Sequence, residues 1–334
     1  MTVKLGGLEI MREVIRQSYD LGEIQLPEQL PAAHQRRHRK LTVMTSAGKF
    51  LVKTYKRDTV VLDSLRFQHR LSNFLLSKGV PVARIQMSKN GTGIVELDTW
   101  AMELQHFVEA GPMPLNAVTL KASAQALGQL HHVCRDYRCP PRDAQKWRFS
   151  EAPRDLFKKL YVVAATQAPG KDIEHQCNDI GRFLQEAGMA LSEAKRSEFE
   201  TGLIHGDWHG GNLLFLGDEL KAVVDLEFAG DGCYLEDIAY GISNLCVRTS
   251  MDAERLDLRL NILLDTYQKY RSLSWAEEVA VFYAVGVKHV ATVSYQSLQA
   301  GGQIAGYTAA QWIERLAFQC KWLAERSRKV RFGG

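Results

Sequence analysis

The sequence predicts an α+β protein with two lobes, a small β-rich N-terminal lobe and a larger, mainly helical C-terminal lobe. Strand-like segments, with one helical pattern among them, fill the chain up to about residue 102. Helical periodicity dominates from residue 116 onward and is interrupted only by strand-like runs within 203–226. We therefore predict an N-terminal lobe over 1–102, a hinge over 103–111 and a C-terminal lobe over 112–334.

In the N-terminal lobe, residues 41–55 predict two strands joined by a turn at Ala47 and Gly48. Apolar residues recur at helical spacing after Asp58 and predict a helix that stops at Gly79. Three further strand-like segments follow this helix, over 81–85, 93–97 and 100–108.

In the C-terminal lobe, the spacing of apolar residues predicts helices over 116–137, 155–165, 172–187, 193–201, 252–271, 276–298 and 309–328. Several aromatic side chains of this lobe could stack on a substrate, although aromatic residues at helical spacing are more often part of the core. They are Trp147, Trp275, Tyr283, Tyr295 and Trp312.

Composition narrows the class of protein. The chain has 334 residues, of which 46% are hydrophobic and 24% charged, as in a globular protein with a sizeable core. The net charge of +4 is spread thinly, so no nucleic-acid partner is expected. One local exception is the basic run 34–40, which is either a segment that binds nucleic acid or anionic phosphate or a solvated loop.

Cysteine usage and hydropathy indicate the compartment. The six cysteines are scattered, without a CxxC pair, which fits free thiols in a reducing cytosol. The N-terminus has no signal-peptide pattern, and no stretch approaches the roughly 18 apolar residues that a bilayer span needs. We expect a cytoplasmic protein with no membrane partner, and its oligomeric state has no signature in the sequence.

The strongest chemical signal is the run His205-Gly-Asp207-Trp-His-Gly-Gly-Asn212, followed after a turn by Asp225. If Asp218 and Glu219 form a two-residue hairpin loop, then Asn212 pairs with Asp225 at roughly 5 Å. An amide oxygen and a carboxylate at this spacing predict a Mg²⁺ site. Asp207, in a glycine-bearing loop nearby, is then placed to accept a proton during phosphoryl transfer.

An alternative for the same run is a transition-metal site. His205, Asp207 and His209 alternate along the chain and could form a triad of ligands on one face of a strand. Three glycines among and beside them disfavour a strand, however, and no distant histidine cluster completes the coordination shell. The triad also leaves Asn212 and Asp225 without a role, so the magnesium interpretation is favoured.

Several segments together resemble one family. The run 205–212 with Asp225-Leu-Glu227 resembles the aminoglycoside phosphotransferase and choline kinase-like family, which includes homoserine, methylthioribose and spore-coat-associated kinases. The segments 234–240 and 126–131 are similar to that family's downstream segment and to its LGxLH-type helix. The resemblance covers roughly residues 40–245.

The resemblance implies a protein-kinase-like fold and a function. It implies ATP- and Mg²⁺-dependent transfer of the γ-phosphoryl group to a hydroxyl of a small molecule, of aminoglycoside, amino alcohol, amino acid or sugar type. Asp207 is then the catalytic base, and Asn212 and Asp225 are the Mg²⁺ ligands. Asp225-Leu-Glu227 stands where protein kinases have DFG, and the APE signature is missing after it, which argues against a protein substrate.

The resemblance also implies which residues bind the nucleotide. Lys53 would contact the α- and β-phosphates, and the backbone of the hinge residues Gln105, His106 and Val108 would hold adenine. Two features depart from the family pattern. Gln68 stands where the family usually has Glu, and an amide can accept a hydrogen bond from Lys53 but cannot neutralise it. In addition, no G-x-G-x-x-G occurs within 20–50.

The first departure keeps a second interpretation open, a degenerate kinase fold that binds nucleotide or a partner without turnover. Two nearby acids have expected roles as well. Glu227 is either a second metal contact or a supporting acid, and Asp237 is expected to tie the loop after the metal site to the helical lobe.

Overall fold

The computed structural model describes residues 7–30, 39–138, 149, 153–169 and 173–333. The chain divides into two compact units. The first contains Met1–Met113 and Leu213–Glu227, and the second contains Pro114–Asn212 and Phe228–Gly334.

The strands are β1 (Glu28–Gln29), β2 (Arg39–Thr45), β3 (Gly48–Lys56), β4 (Ile85–Gln86), β5 (Ile94–Glu96), β6 (Trp100–His106), β7 (Gly111–Pro112), β8 (Thr201–Ile204), β9 (Leu213–Leu216), β10 (Glu219–Val223), β11 (Gly230–Cys233), β12 (Gln303–Ile304) and β13 (Tyr307–Thr308). The α-helices are α1 (Leu8–Ser18), α2 (Thr59–Ser77), α3 (Ala117–Val133), α4 (Arg154–Gln167), α5 (Ile173–Ala190), α6 (Tyr234–Ile242), α7 (Ala253–Tyr267), α8 (Trp275–Gln299) and α9 (Ala309–Phe332).

The first unit is built on an antiparallel sheet in the order β1-β2-β3-β6-β4, with β5 also paired to β6. Its register places Lys53 of β3 between two cross-strand partners, Lys40 of β2 and Glu103 of β6. Directly paired residues have their side chains on the same face of a sheet. The register therefore gathers two lysines and one acid on a single face.

The helices of this unit begin where the sequence favours them. The Asp58 side chain accepts hydrogen bonds from the N–H groups of Val60 and Val61 and caps α2, as predicted from the spacing of apolar residues. Helix α1 was not predicted. It buries Met11 and Ile15 in the apolar cluster that includes Phe50, so its hydrophobic face completes the core.

The hairpin of β9 and β10 has a different register from the predicted one. Leu216 pairs with Glu219, so the loop is Gly217 and Asp218, and the register shifts again at a bulge between Leu220 and Ala222. The paired residues end at Leu213 and Val223. The predicted strand pairing of Asn212 with Asp225 is therefore wrong, because the loop lies one residue earlier and the bulge adds a residue to β10.

The same hairpin explains why the first unit is discontinuous in sequence. Strand β7 pairs with β9, and the Val223 N–H donates to the carbonyl of Pro81 at 2.8 Å. These bonds join 213–227 to the first unit, whereas the expected boundary put this segment in the C-terminal lobe. Strand β6 also continues to His106, so the first residues of the expected hinge belong to a strand.

The second unit is mainly helical, and most predicted helices are confirmed. Asn116, Ser274 and Thr308 begin α3, α8 and α9 with capping boxes, which satisfy amide groups that have no partner within the helix. One prediction is wrong, because Glu193–Glu198 forms a short 3₁₀ turn and residue 201 already starts β8. Helix α6 was not predicted as a helix.

The aromatic residues of this unit divide into two groups. Trp312 and Tyr283 are buried, as expected of core residues. Trp275 and Tyr295 are 63% and 56% exposed, so a core position is wrong for them. Trp147 lies outside the described residues, as does the 34–38 part of the basic run. No helix in the described parts of the chain has the length and apolar character that a bilayer span requires.

Candidate active site

In the second unit, the loop that carries Asp207 is anchored at its start by Asp237 of α6. The buried Asp237 carboxylate accepts the N–H groups of His205 at 2.6 Å and Gly206 at 2.8 Å. His131 of α3 contacts the same carboxylate at 3.2 Å, and its other ring nitrogen bonds to the Tyr267 hydroxyl at 2.7 Å. The structural role predicted for Asp237 is confirmed, but it acts on the loop before Asp207 rather than after the metal site.

The charge state of Asp237 follows from these contacts. Burial is the largest influence and acts to raise the pKa of this carboxyl, but the hydrogen bond and charge of His131, together with the His205 contacts, outweigh it. The net effect is a lowered pKa. Asp237 is therefore an ionised carboxylate that holds two backbone amides in place.

Gly206 is required by its surroundings. Its φ is +79°, in the left-handed region, and a Cβ placed there would lie 2.5 Å from the Phe228 carbonyl oxygen. This close approach of two backbone segments directs the chain from β8 into the loop, and any larger residue would push them apart.

Four neighbours orient Asp207 itself. The Asn212 side-chain amide donates to the Asp207 carbonyl at 3.0 Å and to its Oδ2 at 3.1 Å. His209 Nε2 lies 3.4 Å from the same Oδ2, and the Asp207 N–H donates to His205 Nδ1 at 3.2 Å. Tyr240 also hydrogen-bonds this carboxylate, which contributes to raising the pKa of Tyr240 to about 12, although burial is the larger cause.

These contacts set the protonation of Asp207. Burial acts to raise its pKa, but the hydrogen bond and charge of His209, the charge of His205 and the hydrogen bond of Asn212 lower it overall. Because its pKa is lowered, the Asp207 carboxyl group is ionised. Its side chain is 26% exposed, so it is also accessible from solvent. The neighbouring residue, Trp208, is buried and donates its indole N–H to Ser123 Oγ of α3 at 3.1 Å. This hydrogen bond attaches the loop to the helix.

The transition-metal alternative receives no support from this geometry. His205 is fully buried and uses Nδ1 to accept the Asp207 N–H, while His209 Nδ1 accepts the Gly211 N–H at 3.0 Å. Within the described ranges, no three His, Cys, Asp or Glu side chains are arranged to hold a metal ion. His205 instead supports the loop through this hydrogen bond to the backbone of Asp207.

In the first unit, Asp225 is the partner of two lysines. Lys53 Nζ lies 2.7 Å from its Oδ1, and Lys40 Nζ lies 3.3 Å from its Oδ2. Burial acts to raise the pKa of Asp225, but the two lysines hold it well below its usual range. Asp225 has φ +59°, a left-handed conformation that is uncommon for a residue with a side chain and indicates a functional constraint.

Glu103 is a buried acid close to Lys53 that the sequence pattern did not reveal. It is 2% exposed, and it faces Lys53 across β3 and β6. Its carboxylate accepts hydrogen bonds from the Tyr55 hydroxyl and the Gln105 amide, each at 2.8 Å, and also bonds His69. The pairing of β3 with the predicted strand over 100–108, taken in the correct register, could have identified Glu103 from the sequence.

Gln68, by contrast, is not bonded to Lys53 in the way the sequence suggested. Its amide donates to Ser64 Oγ of the preceding helical turn at 3.2 Å. A cavity of about 30 Å³ has Gln68, Lys53, Glu103 and Asp225 in its lining. The acids that act on Lys53 are therefore Asp225, Glu103 and Glu227, and none of them belongs to α2.

Glu227 lies in a short 3₁₀ turn and lines a second cavity, of about 250 Å³, together with Lys53 and Asp225. Its charge contributes to the electrostatic environment of Lys53. This position is compatible with either role expected for Glu227.

The hinge residues differ in what their backbone can offer. Gln105 and His106 are the last residues of β6, and the Gln105 side chain is already bonded to Glu103. The N–H of His106 donates to the Arg84 carbonyl at 2.9 Å, and that of Phe107 donates to the Lys49 carbonyl at 3.0 Å. Val108 lies beyond the strand.

Each unit offers groups that suit part of a kinase site. In the first unit, Asp225 presents a carboxylate, and Lys53 and Lys40 present ammonium groups of the kind that bind phosphate oxygens. In the second unit, Asn212 presents an amide, and carboxylate and amide oxygens are ligand types that hard divalent cations prefer.

Comparison with known proteins identifies the family. The model of the phosphotransferase enzyme family APH matches residues 28–273, most of the chain. The chain belongs to this family. A homoserine kinase from Nitrobacter winogradskyi is 25% identical over 309 residues, which cover 90% of this chain and 89% of that protein.

Solved structures agree with the fold. An aminoglycoside phosphotransferase from Alicyclobacillus acidocaldarius superposes with a TM-score of 0.71 at 13% identity, over 99% of this chain and 97% of that one. The amicoumacin kinase hAmiN, solved in complex with AMP-PNP, Ca²⁺ and Ami, gives a TM-score of 0.63 at 15% identity, over 96% of this chain and 93% of that one. The predicted protein-kinase-like α+β fold is confirmed, and this family member is a small-molecule kinase with a hydroxyl acceptor.

Proposed function

We propose that this kinase transfers the γ-phosphoryl group of ATP, with Mg²⁺, to the hydroxyl of a small amino acid or amino alcohol. One observation carries the catalytic part of the proposal. The Asp207 carboxylate is held in place by Asn212 and His209 and is partly exposed, so it can orient an incoming hydroxyl and accept its proton.

In the proposed reaction, Asp207 accepts the proton of the acceptor hydroxyl while the acceptor oxygen forms a bond to the γ-phosphorus. The bond from the γ-phosphorus to the β–γ bridging oxygen breaks, and ADP leaves with that oxygen. Bound Mg²⁺, held by Asn212 and Asp225, would neutralise charge on the phosphates. His209, 3.4 Å from the Asp207 carboxylate, keeps that group ionised before transfer.

Lys53 is the proposed ligand of the α- and β-phosphates, and Lys40 is a second cation on the same side of the sheet. For adenine, Val108 is the first candidate among the hinge residues. The N–H groups of His106 and Phe107 are already bonded to protein carbonyls, so the backbone of Val108 is the better contact in 105–108.

The acceptor class is proposed from the similarity to homoserine kinase, which extends over 90% of this chain. Homoserine is therefore the first acceptor to test, and related amino alcohols come next. The degenerate alternative rested on Gln68. The absence of an acid at position 68 no longer supports this alternative, because Lys53 has Asp225 and Glu103 as acidic neighbours in the first unit.

An acceptor screen tests the proposal. Purified protein with ATP and Mg²⁺ is incubated with homoserine, 1-amino-2-propanol, an aminoglycoside or ribose, and ADP release and the phosphorylated product are measured. We expect homoserine or the amino alcohol to raise ADP release at least tenfold above the rate without acceptor. Stimulation by ribose alone would redirect the acceptor class, and no ATP binding at all would overturn the proposal.

A cytoplasmic location is also proposed. The described cysteines Cys134, Cys177, Cys233, Cys246 and Cys320 are free thiols, and most are buried. Free thiols are typical of proteins in a reducing compartment, where ATP is also available.

A further inference from the structure

Glu103 and Lys53 are both buried and lie opposite each other on two neighbouring strands. They are direct partners in the register of β3 and β6, and they are 2% and 6% exposed. Opposite charges at directly paired positions on one face of a sheet attract each other. Lys53 is thus placed beside two carboxylates of the first unit, Glu103 of β6 and Asp225 beyond β10.

The Glu103 carboxylate is fixed by three side chains. The Tyr55 hydroxyl and the Gln105 amide both donate to Oε1 at 2.8 Å, and His69 bonds Oε2. Burial acts most strongly to raise the pKa of Glu103, but the bond and charge of His69 and the charge of Lys53 lower it overall. Glu103 is therefore a fixed anion rather than a mobile one.

Lys53 needs such an anion once a nucleotide binds. In the structure its Nζ is bonded to Asp225 at 2.7 Å, but the proposed function assigns Asp225 to Mg²⁺. A buried ammonium that loses its hydrogen-bonded carboxylate is strongly disfavoured unless another acid remains nearby. The helix position from which the family usually supplies an acid holds Gln68, whose amide is bonded to Ser64.

We propose that Glu103 is the positioning residue of Lys53, supplying from strand β6 the negative charge that Gln68 of α2 cannot supply. The inference rests on the proposed function, because it assigns Lys53 to the phosphates. Glu103 does not touch the nucleotide. It holds the Lys53 side chain in place across the sheet while Asp225 binds the metal.

Moving the negative charge from position 103 to position 68 tests the assignment of Glu103 to Lys53. Gln68 and Glu103 line the same cavity of about 30 Å³, so a carboxylate at 68 has access to Lys53. Glu103→Gln should weaken MgATP binding about tenfold and raise KM for ATP, with KM for the acceptor unchanged. The double variant Glu103→Gln/Gln68→Glu should return MgATP affinity to within about threefold of wild type, even if its melting temperature stays lowered.

Recovery of MgATP affinity in the double variant would distinguish a positioning role of Glu103 from a role in packing. A new acid at position 68 cannot restore the hydrogen bonds of Glu103 to Tyr55 and Gln105. Failure of the double variant to regain affinity would overturn the inference. Glu96→Gln is the matched control, since Glu96 pairs with Arg57 and Arg66 at the edge of the same sheet. This control should bind MgATP like wild type.

Gln68→Glu alone gives a test that does not depend on the folding of any Glu103 variant. If Glu103 already serves Lys53, the single change should alter the Kd of MgATP by less than threefold. A tightening of tenfold or more would mean that native Lys53 lacks a counter-charge, and would overturn the inference. Wild-type protein that fails to bind MgATP would overturn the proposed function as well, which distinguishes the two failures.

Discussion

The side-chain amide of Asn212 donates to the carbonyl oxygen of Asp207 at 3.0 Å and to its carboxylate at 3.1 Å. Because the amide nitrogen is turned toward Asp207, the amide oxygen is the end of Asn212 that a cation would bind. Asn212 thus connects the orientation of the proposed base with the proposed metal site. A variant that tests Asp207 as the base should therefore keep the hydrogen bond from Asn212.

Asp207→Asn is expected to lower turnover by about 10² or more, because an amide cannot accept the acceptor proton. The variant keeps the size of the side chain and an oxygen that can accept the Asn212 bond, so MgATP affinity should stay within about threefold of wild type. Calorimetric titration of MgATP and a phosphate-transfer assay check both expectations.

The matched control for this variant is Asp231→Asn, which changes an exposed carboxylate of β11 in the same unit. It should retain wild-type turnover. Unchanged turnover in Asp207→Asn would contradict the assignment of the base.

Asp225→Asn should act on binding as well as on turnover. The change removes the carboxylate proposed for Mg²⁺ and leaves Lys53 and Lys40 with a neutral neighbour. We expect the Kd of ATP in the presence of Mg²⁺ to rise about tenfold or more, with a much smaller change when EDTA is present. Titrations with and without the chelator measure the difference.

Asp98→Asn, which alters an exposed acid of the first unit, is the control for the metal-dependent effect. If Asp225→Asn bound MgATP as wild type does while Asp207→Asn lost it, the two roles would be reversed.

The sequence predicted the fold class and most helices because these depend on local patterns. The spacing of apolar residues after Asp58 and the turn at Ala47 and Gly48 are both local, and α2 and the β2–β3 pair follow them. Helix α1 has the same kind of pattern but is short, and its role as the cover of an apolar cluster is visible only in the folded unit.

The site was predicted less completely, because parts of it depend on register. The role of Lys53 was predicted from the resemblance to the family, but its neighbour Glu103 lies 50 positions further on and is brought opposite it only by the β3–β6 pairing. The bulge at Leu220 and Ala222 shifted the β9–β10 pairing in a way that no turn signal indicated. Strand register, rather than sequence spacing, thus determines which acid lies next to which lysine.

Lys53→Met is expected to weaken MgATP binding by about 10- to 100-fold. A hydrogen bond to a charged group contributes roughly 1.5–3 kcal/mol, which corresponds to that range in Kd. Methionine fills a similar volume, so the sheet should stay folded. Lys56→Met, an exposed lysine at the end of the same strand, should bind MgATP like wild type. Equal affinities for the two variants would remove Lys53 from the phosphate site.

The last prediction concerns stability in acid and the buried His289 of α8. Its Nε2 donates to Gln319 Oε1 at 2.8 Å, and the Ser243 hydroxyl lies 3.3 Å from Nδ1. Burial, with smaller effects from the charges of Arg248 and Arg315, lowers the pKa of His289 to about 4, although the Gln319 bond opposes this. The folded pKa is therefore below the ordinary value of 6.5 that the unfolded chain has.

Between these two values the unfolded chain binds more protons than the folded one, so the free energy of unfolding falls as pH drops from about 6.5 toward 4 and is unaffected by His289 above about 7. Linkage gives a loss of about 2 kcal/mol between pH 7.5 and 5.0. Urea unfolding of His289→Gln at both pH values should show a pH-dependent loss smaller by about that amount. His132→Gln, an exposed histidine of α3, should keep the wild-type difference. An unchanged difference in His289→Gln would show that His289 is not buried in its neutral form.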